Sequence, residues 1–394
     1  MTAPRVGTGL ACLAADNCAR FRGQRVGLVV HPASVDARLR HAVELFASAD
    51  GVELTSVFGP EHGLLGEAQD LIGVGDDRDP LSGVRAVSLY SSTVDSLRPA
   101  PDQLADLDVL VIDLQDVGSR YYTFPTTMLY CLEAAAGAGL RVVVLDRPNP
   151  IGGGAVEGPT LRPGFESFVG AHPIAIRHGL TVGELARLYR AERRIDVELD
   201  VVACDGWRRD MGWDATGLPW VLPSPNMPTP DTAFVYPGQC LIEGTNLSEG
   251  RGTTRPFELC GAPGIDARAV CRRLNGANLP GVVFRPAWFQ PTFQKHAGKR
   301  CGGMQLHVTD RMAFGPVRTG LAVLAALREA AGNSFAWRTE EYEFVRDPIA
   351  IDLLFGSDRE RRALEAGHDW REIATSWEAE EGEFNERRRA FLMY

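Results

Sequence analysis

The stretch FGPEHGLLGEAQD, residues 58–70, sets Glu61 and His62 between a proline and a glycine, directly after the alternating apolar run from Val52 to Phe58. A carboxyl group and an imidazole at the mouth of a strand are equipped for proton transfer, and neighbouring glycines let a ligand approach the backbone. Further carboxylates follow: Glu67 and Asp70 in the same stretch, Asp113 and Asp116 after the run VLVID, and Glu243 and Glu249 in a later Gly- and Thr-rich segment. Two carboxyl groups suit the cleavage of a glycosidic bond, one protonating the leaving oxygen while the other activates water or supports positive charge on the ring. Glu61 fits the donor, because Phe58, Leu64 and Leu65 would shield it from water and favour its protonated form. Its structural alternative is to cap a helix or pair with an arginine.

His62 can orient Glu61, ligate a metal, or hydrogen-bond a loop carbonyl. The eight histidines show no H-E-x-x-H and no short paired spacing, so no metal and no cofactor is expected. The segment DVGSRYYTF (116–124) combines Asp116, Arg120, Tyr121 and Tyr122. Tyrosine stacks on a sugar face and arginine grips a carboxylate; a buried Asp116–Arg120 pair with packing tyrosines is the alternative. In EGTNLSEGRGTTRPFE (243–258), Glu243, Asn246, Glu249, Arg251 and Arg255 can line the same cleft from the other side. Trp288, Phe289 and Phe293 are either an aromatic wall or core.

These residues need a frame. Apolar runs at 25–30, 52–58, 84–90, 109–113 and 141–146 alternate with helices at about 38–47 and 126–136, the latter opened by Pro125 and stopped by Gly137 and Gly139. Short continuous strands interleaved with helices predict a doubly wound, Rossmann-like parallel sheet, then a smaller mixed α/β region. TVGE (181–184) reads as a capping box. In such sheets binding loops gather beyond the strands' carboxyl ends, where HPAS, GPEHG, YSST, DLQDVGSRYYTF and DRPNPIGG all fall and are expected to converge. HPASVD (31–36) lacks the glycines of a dinucleotide cradle, GVGDD (73–77) and GGGAVEG (152–158) stand in the wrong context for one, and neither a P-loop nor G-x-S-x-G occurs. The texture changes near Pro237, which predicts domains at 1–237 and 238–394.

A chain of 394 residues exceeds what one core usually fills, so a cleft between two domains is expected. With 41 basic against 51 acidic residues and no basic block, nucleic acid and anionic membrane are not expected partners. No window reaches the length of a membrane span, and the start carries an acidic residue where a secretory signal needs a longer apolar core, so a cytoplasmic chain is expected. The eight cysteines form no C-x-x-C pair and read as reduced core residues.

Taken together, FGPEHGLLGEAQD, VIDLQDVGSRYYTF, LDRPNPIGG, EGP, RHGLTVGELA, PSPNMPT (which contains Asn226), YPGQCLIEGTNLSEGRGTTRPFE and CGGMQLHVTD resemble the exo-acting β-N-acetylmuramidases of the NamZ family. The resemblance runs from about residue 22 to 394, and departs at His31-Pro32, where the family commonly has Asn-Pro or Asn-Gln. It implies a Rossmann-like N-terminal domain, a smaller C-terminal domain and an active site in the cleft between them. The implied reaction releases N-acetylmuramic acid from the non-reducing end of peptidoglycan-derived saccharides or muropeptides. The carboxylate of the family's P-E-H-G motif falls on Glu61, and its counterpart is expected to be a second acid, Glu243 or Asp116, or the substrate's own 2-acetamido oxygen. His62, Tyr121, Tyr122, Asn226, Asn246 and Glu249 are expected to contact substrate, and Arg120, Arg251 and Arg255 are candidates for the muramyl lactate carboxylate. Two rivals remain open: a metal-dependent hydrolase gathering His31, His62, Asp113 and Asp116, and a catalytically silent muropeptide binder.

Overall fold

A computed structural model describes residues 6–64, 66 and 77–394. Leu65, Glu67, Asp70 and the start of GVGDD lie outside the described residues.

The apolar runs form strands β1 (Arg25–Val30), β2 (Glu53–Gly59), β3 (Asp77–Arg78), β4 (Arg85–Ser88), β5 (Val109–Asp113) and β6 (Arg141–Leu145). After the antiparallel pair β7 (Glu157–Thr160) and β8 (Ala175–Arg177) comes β9 (Leu199–Val202). Among the described residues the main sheet runs β3-β4-β2-β1-β5-β6-β9, parallel except for β3 against β4. Successive residues of a strand point to opposite faces. Val29, Ile112, Val142 and Val144 therefore join one core with residues of helices Phe124–Gly137 and Val182–Glu192. Leu28, Val30, Val111 and Val143 join another, with Leu10, Phe21, Val43 and Phe46. Both faces are covered, which is why the strands read as continuous apolar runs.

The chain winds outward from β1 through β2 and β4, then crosses to β5 on the other side. Sheets of this kind open a ligand crevice at such a switch point. Here it is filled. Arg147 donates to Asp113 (Nη2 to Oδ2, 2.8 Å), and His31 Nε2 accepts the Gln115 N–H at 2.9 Å. All four side chains are buried. Burial first, and then the charge of Arg147, holds the His31 pKa well below the usual histidine range, so that its ring is a neutral acceptor.

The helix expected at about 38–47 is shorter, Ala42–Ala47. Leu39 takes φ 62° in a preceding turn, and His41 caps the helix by accepting from Val43 N–H through Nδ1 at 3.3 Å while Glu44 returns the contact to His41 N–H at 2.9 Å. The TVGE box forms as read: Thr181 Oγ1 accepts from Glu184 N–H and Glu184 Oε2 from Thr181 N–H.

In the C-terminal part, β10 (Leu259–Ala262), β11 (Val282–Phe289) and β12 (Cys301–Val308) form an antiparallel sheet in the order β10-β12-β11. Strand β11 continues through Trp288 and Phe289, where the sequence shows no alternation, and leaves Trp288 half exposed. Pro237, the expected junction, sits inside helix Pro230–Gln239 rather than in a connector. That helix crosses helix Pro316–Ala331 so closely that a Cβ on Gly320 would stand 2.2 Å from the Gly238 carbonyl oxygen. The larger apolar cluster holds Val29 and Leu110 of the sheet together with Phe257, Leu321 and Phe384. The eight cysteines are free thiols, all buried except the half-buried Cys12. Among the described residues no helix is long and apolar enough to cross a membrane.

Candidate active site

Strand β2 delivers Glu61. Beyond Gly59 the chain turns sharply, with Gly63 N–H donating to the Pro60 carbonyl at 3.0 Å. A Cβ on Gly59 would come within 2.6 Å of Leu64 N, so here the glycine lets the turn fold over the strand end. His62 takes φ 73° in this turn, a conformation a non-glycine side chain adopts at a cost of about 1–3 kcal/mol and one that clusters at functional sites. Glu61 and His62 are both buried. Thr123, at the cap position of helix Phe124–Gly137, makes no cap with its side chain; its hydroxyl donates instead to Glu61 Oε2 at 2.8 Å.

Glu61 and His62 line one cavity with Tyr121, Tyr122, Thr123, Ser224, Asn226, Tyr236, Glu243, Arg251, Tyr342 and Glu343. The aromatic rings form a continuous wall of edge contacts: Tyr122 on Tyr236 at 5.9 Å, Tyr121 on Tyr236 at 5.8 Å and Tyr236 on Phe257 at 4.9 Å. Burial pushes the Tyr121, Tyr122, Tyr236 and Tyr342 hydroxyls up in pKa, so each stays a neutral donor. The buried Tyr122 hydroxyl lies beside Ser224 but makes no hydrogen bond of ordinary geometry among the described residues. An orphan of this kind, facing a cavity, is suited to a polar ligand.

The opposite wall is ionic. Glu243 Oε1 accepts from Arg251 (Nη2 at 2.7 Å, Nε at 3.2 Å) and Oε2 from the Tyr342 hydroxyl at 2.8 Å. Burial opposes the charged form of Glu243, but the charge and hydrogen bonds of Arg251, the Tyr342 hydroxyl and the Lys295 charge together outweigh it and hold the carboxyl below its usual range. Behind this pair, Lys295 Nζ donates to Glu249 Oε2 at 3.0 Å and to the carbonyls of Ile242 and Glu243. Cavity chemistry therefore has a carboxyl held by a neutral hydroxyl (Glu61) facing a carboxylate already matched by a cation (Glu243).

Other expected site residues stand elsewhere. Arg120, expected to grip a substrate carboxylate, is buried away from this cavity. It spends Nη1 on the carbonyls of Pro159 and Ile174 and Nη2 on those of Leu354 and Phe355, each at 2.8–2.9 Å. Asp116 is outside too, with Oδ2 accepting from Gly118 N–H at 2.8 Å and facing His178 Nε2 at 3.2 Å, so it pairs with neither Arg120 nor the cavity. Asn246 ties down the 334–336 segment through both ends of its amide, and half-exposed Arg255 reaches Glu258. Glu249 supports Lys295 from beneath. Of the five strand-end loops, those after β2 and β5 reach the cavity directly, and the loop after β4 reaches it through Tyr90, whose hydroxyl donates to Glu343 at 3.0 Å. Those after β1 and β6 close the switch point instead. The metal reading finds Asp113 on Arg147 and Asp116 beside His178; among the described residues no group of three or more potential ligands stands together.

Sequence reasoning missed Thr123, Ser224, Tyr236, Tyr342, Glu343 and Lys295. Thr123 and Ser224 lay in motifs already singled out, whereas nothing local in TEEYEFV marks Tyr342 and Glu343 as cavity residues.

Two family models cover nearly the whole chain: exo-β-N-acetylmuramidase NamZ, N-terminal, over residues 26–231, and its C-terminal counterpart over residues 234–394. The chain is 45% identical over 391 residues to the peptidoglycan β-N-acetylmuramidase NamZ of Bacillus subtilis (strain 168), an alignment covering 99% of this chain and 92% of that one. Among solved structures, a DUF1343 family protein from Bacteroides fragilis NCTC 9343 superposes with a TM-score of 0.89 at 32% identity, covering 100% of both chains. A second from the same organism does so with a TM-score of 0.78 at 26% identity, covering 99% of each. The chain belongs to the exo-β-N-acetylmuramidase NamZ family.

Proposed function

We propose that this chain is a glycoside hydrolase that releases N-acetylmuramic acid from the non-reducing end of peptidoglycan fragments, with Glu61 as proton donor. The observation that carries the reading is Glu61 itself, buried at a strand end, held by the Thr123 hydroxyl and sharing a cavity with Arg251 and the tyrosine wall. Glu61 gives its proton to the glycosidic oxygen, which departs with the bonding electron pair. Water then bonds to the anomeric carbon, and the proton it sheds restores Glu61. Arg251 is the group we assign to the lactyl carboxylate of the muramyl ring, since a guanidinium grips a carboxylate through paired N–H donors. The tyrosine wall supports the ring's apolar face, and Tyr122 and Asn226 supply hydrogen bonds at its edge.

The eight free cysteines support work in a reducing compartment on muropeptide fragments taken up by the cell. Fractionation of the native host tests this, and recovery outside the cytoplasm counts against it. The catalytic reading is tested with the purified protein and a β-1,4-linked muramyl-glucosaminyl disaccharide and its longer homologues. Free N-acetylmuramic acid should appear one residue at a time from the non-reducing end. Internal fragments, or tight binding without release, would sink the reading.

A further inference from the structure

The aromatic hydroxyls of the cavity are not equivalent. Tyr121 gives its hydroxyl to the Pro237 carbonyl, Tyr342 gives its own to Glu243, and Tyr236 stands beside the Cys240 thiol. The Tyr122 hydroxyl, buried next to Ser224, has no hydrogen-bond partner of ordinary geometry among the described residues. Its ring is wedged edge-on between Phe124 at 4.9 Å and Tyr236 at 5.9 Å, so packing holds the hydroxyl where it is. A buried hydroxyl left without a partner costs the fold free energy, which argues for a use outside the fold.

The surroundings of this hydroxyl define that use. The next residue in the chain, Thr123, fixes the Glu61 carboxyl at 2.8 Å, and both residues line the cavity that Glu61 lines. Burial is the chief cause of the raised Tyr122 pKa; Ser224 and the charges of Glu61, Asp116 and Arg251 also act on it, which puts the hydroxyl within electrostatic reach of both Glu61 and Arg251. On a muramyl residue the glycosidic oxygen is on carbon 1, the acetamido group on carbon 2 and the lactyl ether on carbon 3. With Glu61 at the first and Arg251 at the third, the substituent brought to the hydroxyl near both is the second. An amide oxygen is a neutral acceptor that suits a neutral phenol. The amide's methyl group needs an apolar seat, and the buried Val169 and Met227 line the same cavity.

We propose that Tyr122 is the residue that reads the 2-acetamido group, its hydroxyl donating to the amide oxygen while Val169 and Met227 take the methyl, and that it thereby sets the preference for N-acetylated muramyl residues. The contact makes and breaks no covalent bond. The inference rests on the placement of the muramyl ring in the reading above, and the test separates the two.

Dissociation constants of N-acetylmuramic acid and of 3-O-lactylglucose, which carries a hydroxyl in place of the acetamido group, are measured by calorimetry for wild type and Tyr122→Phe. Phenylalanine keeps the ring in the aromatic wall and deletes an atom that no described residue bonds. The expected result is that the variant binds N-acetylmuramic acid roughly 10–100-fold more weakly, binds 3-O-lactylglucose within about threefold of wild type, and keeps or raises the denaturation midpoint. An unchanged preference between the two sugars overturns the proposal. So does a lower midpoint or a failure to fold, since the hydroxyl would then serve the structure. Release of N-acetylmuramic acid from the disaccharide by wild type decides the glycosidase reading separately. Release by wild type together with an unchanged preference in the variant removes Tyr122 alone. Selective binding that Tyr122→Phe abolishes, without release by wild type, removes the glycosidase reading and supports the Tyr122 assignment. A wild type that binds neither sugar overturns the assignment.

Discussion

Arg251→Met is expected to lower both the stability of the protein and its preference for muramyl over glucosaminyl residues. The guanidinium matches Glu243 at 2.7 Å inside the protein. Removing one partner of a buried pair leaves the other charged and unsolvated, a loss of about 3–5 kcal/mol. Lys295 stands close enough to influence the same carboxyl, which keeps the loss toward the lower end. The pH dependence has a definite sign. In the wild type the Glu243 pKa is depressed by its partners, so the pair's contribution is present above the ordinary glutamate value of about 4.3 and is lost as pH falls through the lower folded value. In the variant burial dominates, the folded pKa rises, and stability is lost as pH increases through that value. The gap in denaturation midpoint between the two proteins should therefore be small near pH 4 and widen toward pH 7. In kinetics, the same change should raise KM for the muramyl disaccharide by roughly 10–100-fold, the worth of a charge-assisted bond of about 1.5–3 kcal/mol, and leave a lactyl-free analogue much less affected. Equal losses on both substrates would remove Arg251 from carboxylate recognition.

Arg120→Met should act on stability alone. Its four carbonyl partners belong to β7 (Pro159), the approach to β8 (Ile174) and the end of helix Ala350–Phe355 (Leu354 and Phe355), so one side chain ties its own loop to a helix end more than two hundred residues further along the chain. Leu354 and Phe355 are last-turn carbonyls that the helix cannot satisfy, and a guanidinium is well placed to take them. Burial depresses the Arg120 pKa to about 10, a sign of how strongly the site disfavours its charge, yet the group remains protonated near neutrality. Methionine fills the stem's space and leaves the carbonyls without donors, at roughly 1–3 kcal/mol each before relaxation, so a net loss of about 3–5 kcal/mol is expected by urea titration. KM and kcat of the folded fraction should stay within about twofold. A large KM change with unaltered stability would return Arg120 to the substrate site.

The sheet was legible because its information is local. Covered on both faces, β1, β5 and β6 appear as unbroken apolar runs, and the capping box at Thr181 and the Pro125 helix start are short-range chemistry. Half the cavity was legible for the same reason: loops that follow such strands carry ligand residues, and Glu61, His62, Tyr121 and Tyr122 lie on two of them. The rest depends on distances that sequence spacing does not encode. Arg120 stands one residue before two cavity tyrosines, yet points into the protein, because the carbonyls that need it come from residues 354 and 355. Lys295 secures Glu249 across a gap of 46 positions. The Tyr342–Val345 hairpin is the hardest case, since its turn carries none of the residues that announce one, and its strain, positive φ at both Glu343 and Phe344, becomes visible only in the backbone. The short helix at Ala42 was misjudged at its start for a related reason: histidine is a rare cap, and a left-handed leucine is not foreseen by periodicity.

All of this turns on whether the acid at the end of β2 supplies the proton that frees the sugar. The most direct measurement is steady-state release of N-acetylmuramic acid from the disaccharide by wild type and Glu61→Gln at equal concentration, with folding of both verified by circular dichroism. A fall in kcat of about 10³-fold with KM kept within a few-fold is the predicted result. Turnover by the glutamine variant at the wild-type rate would contradict the account.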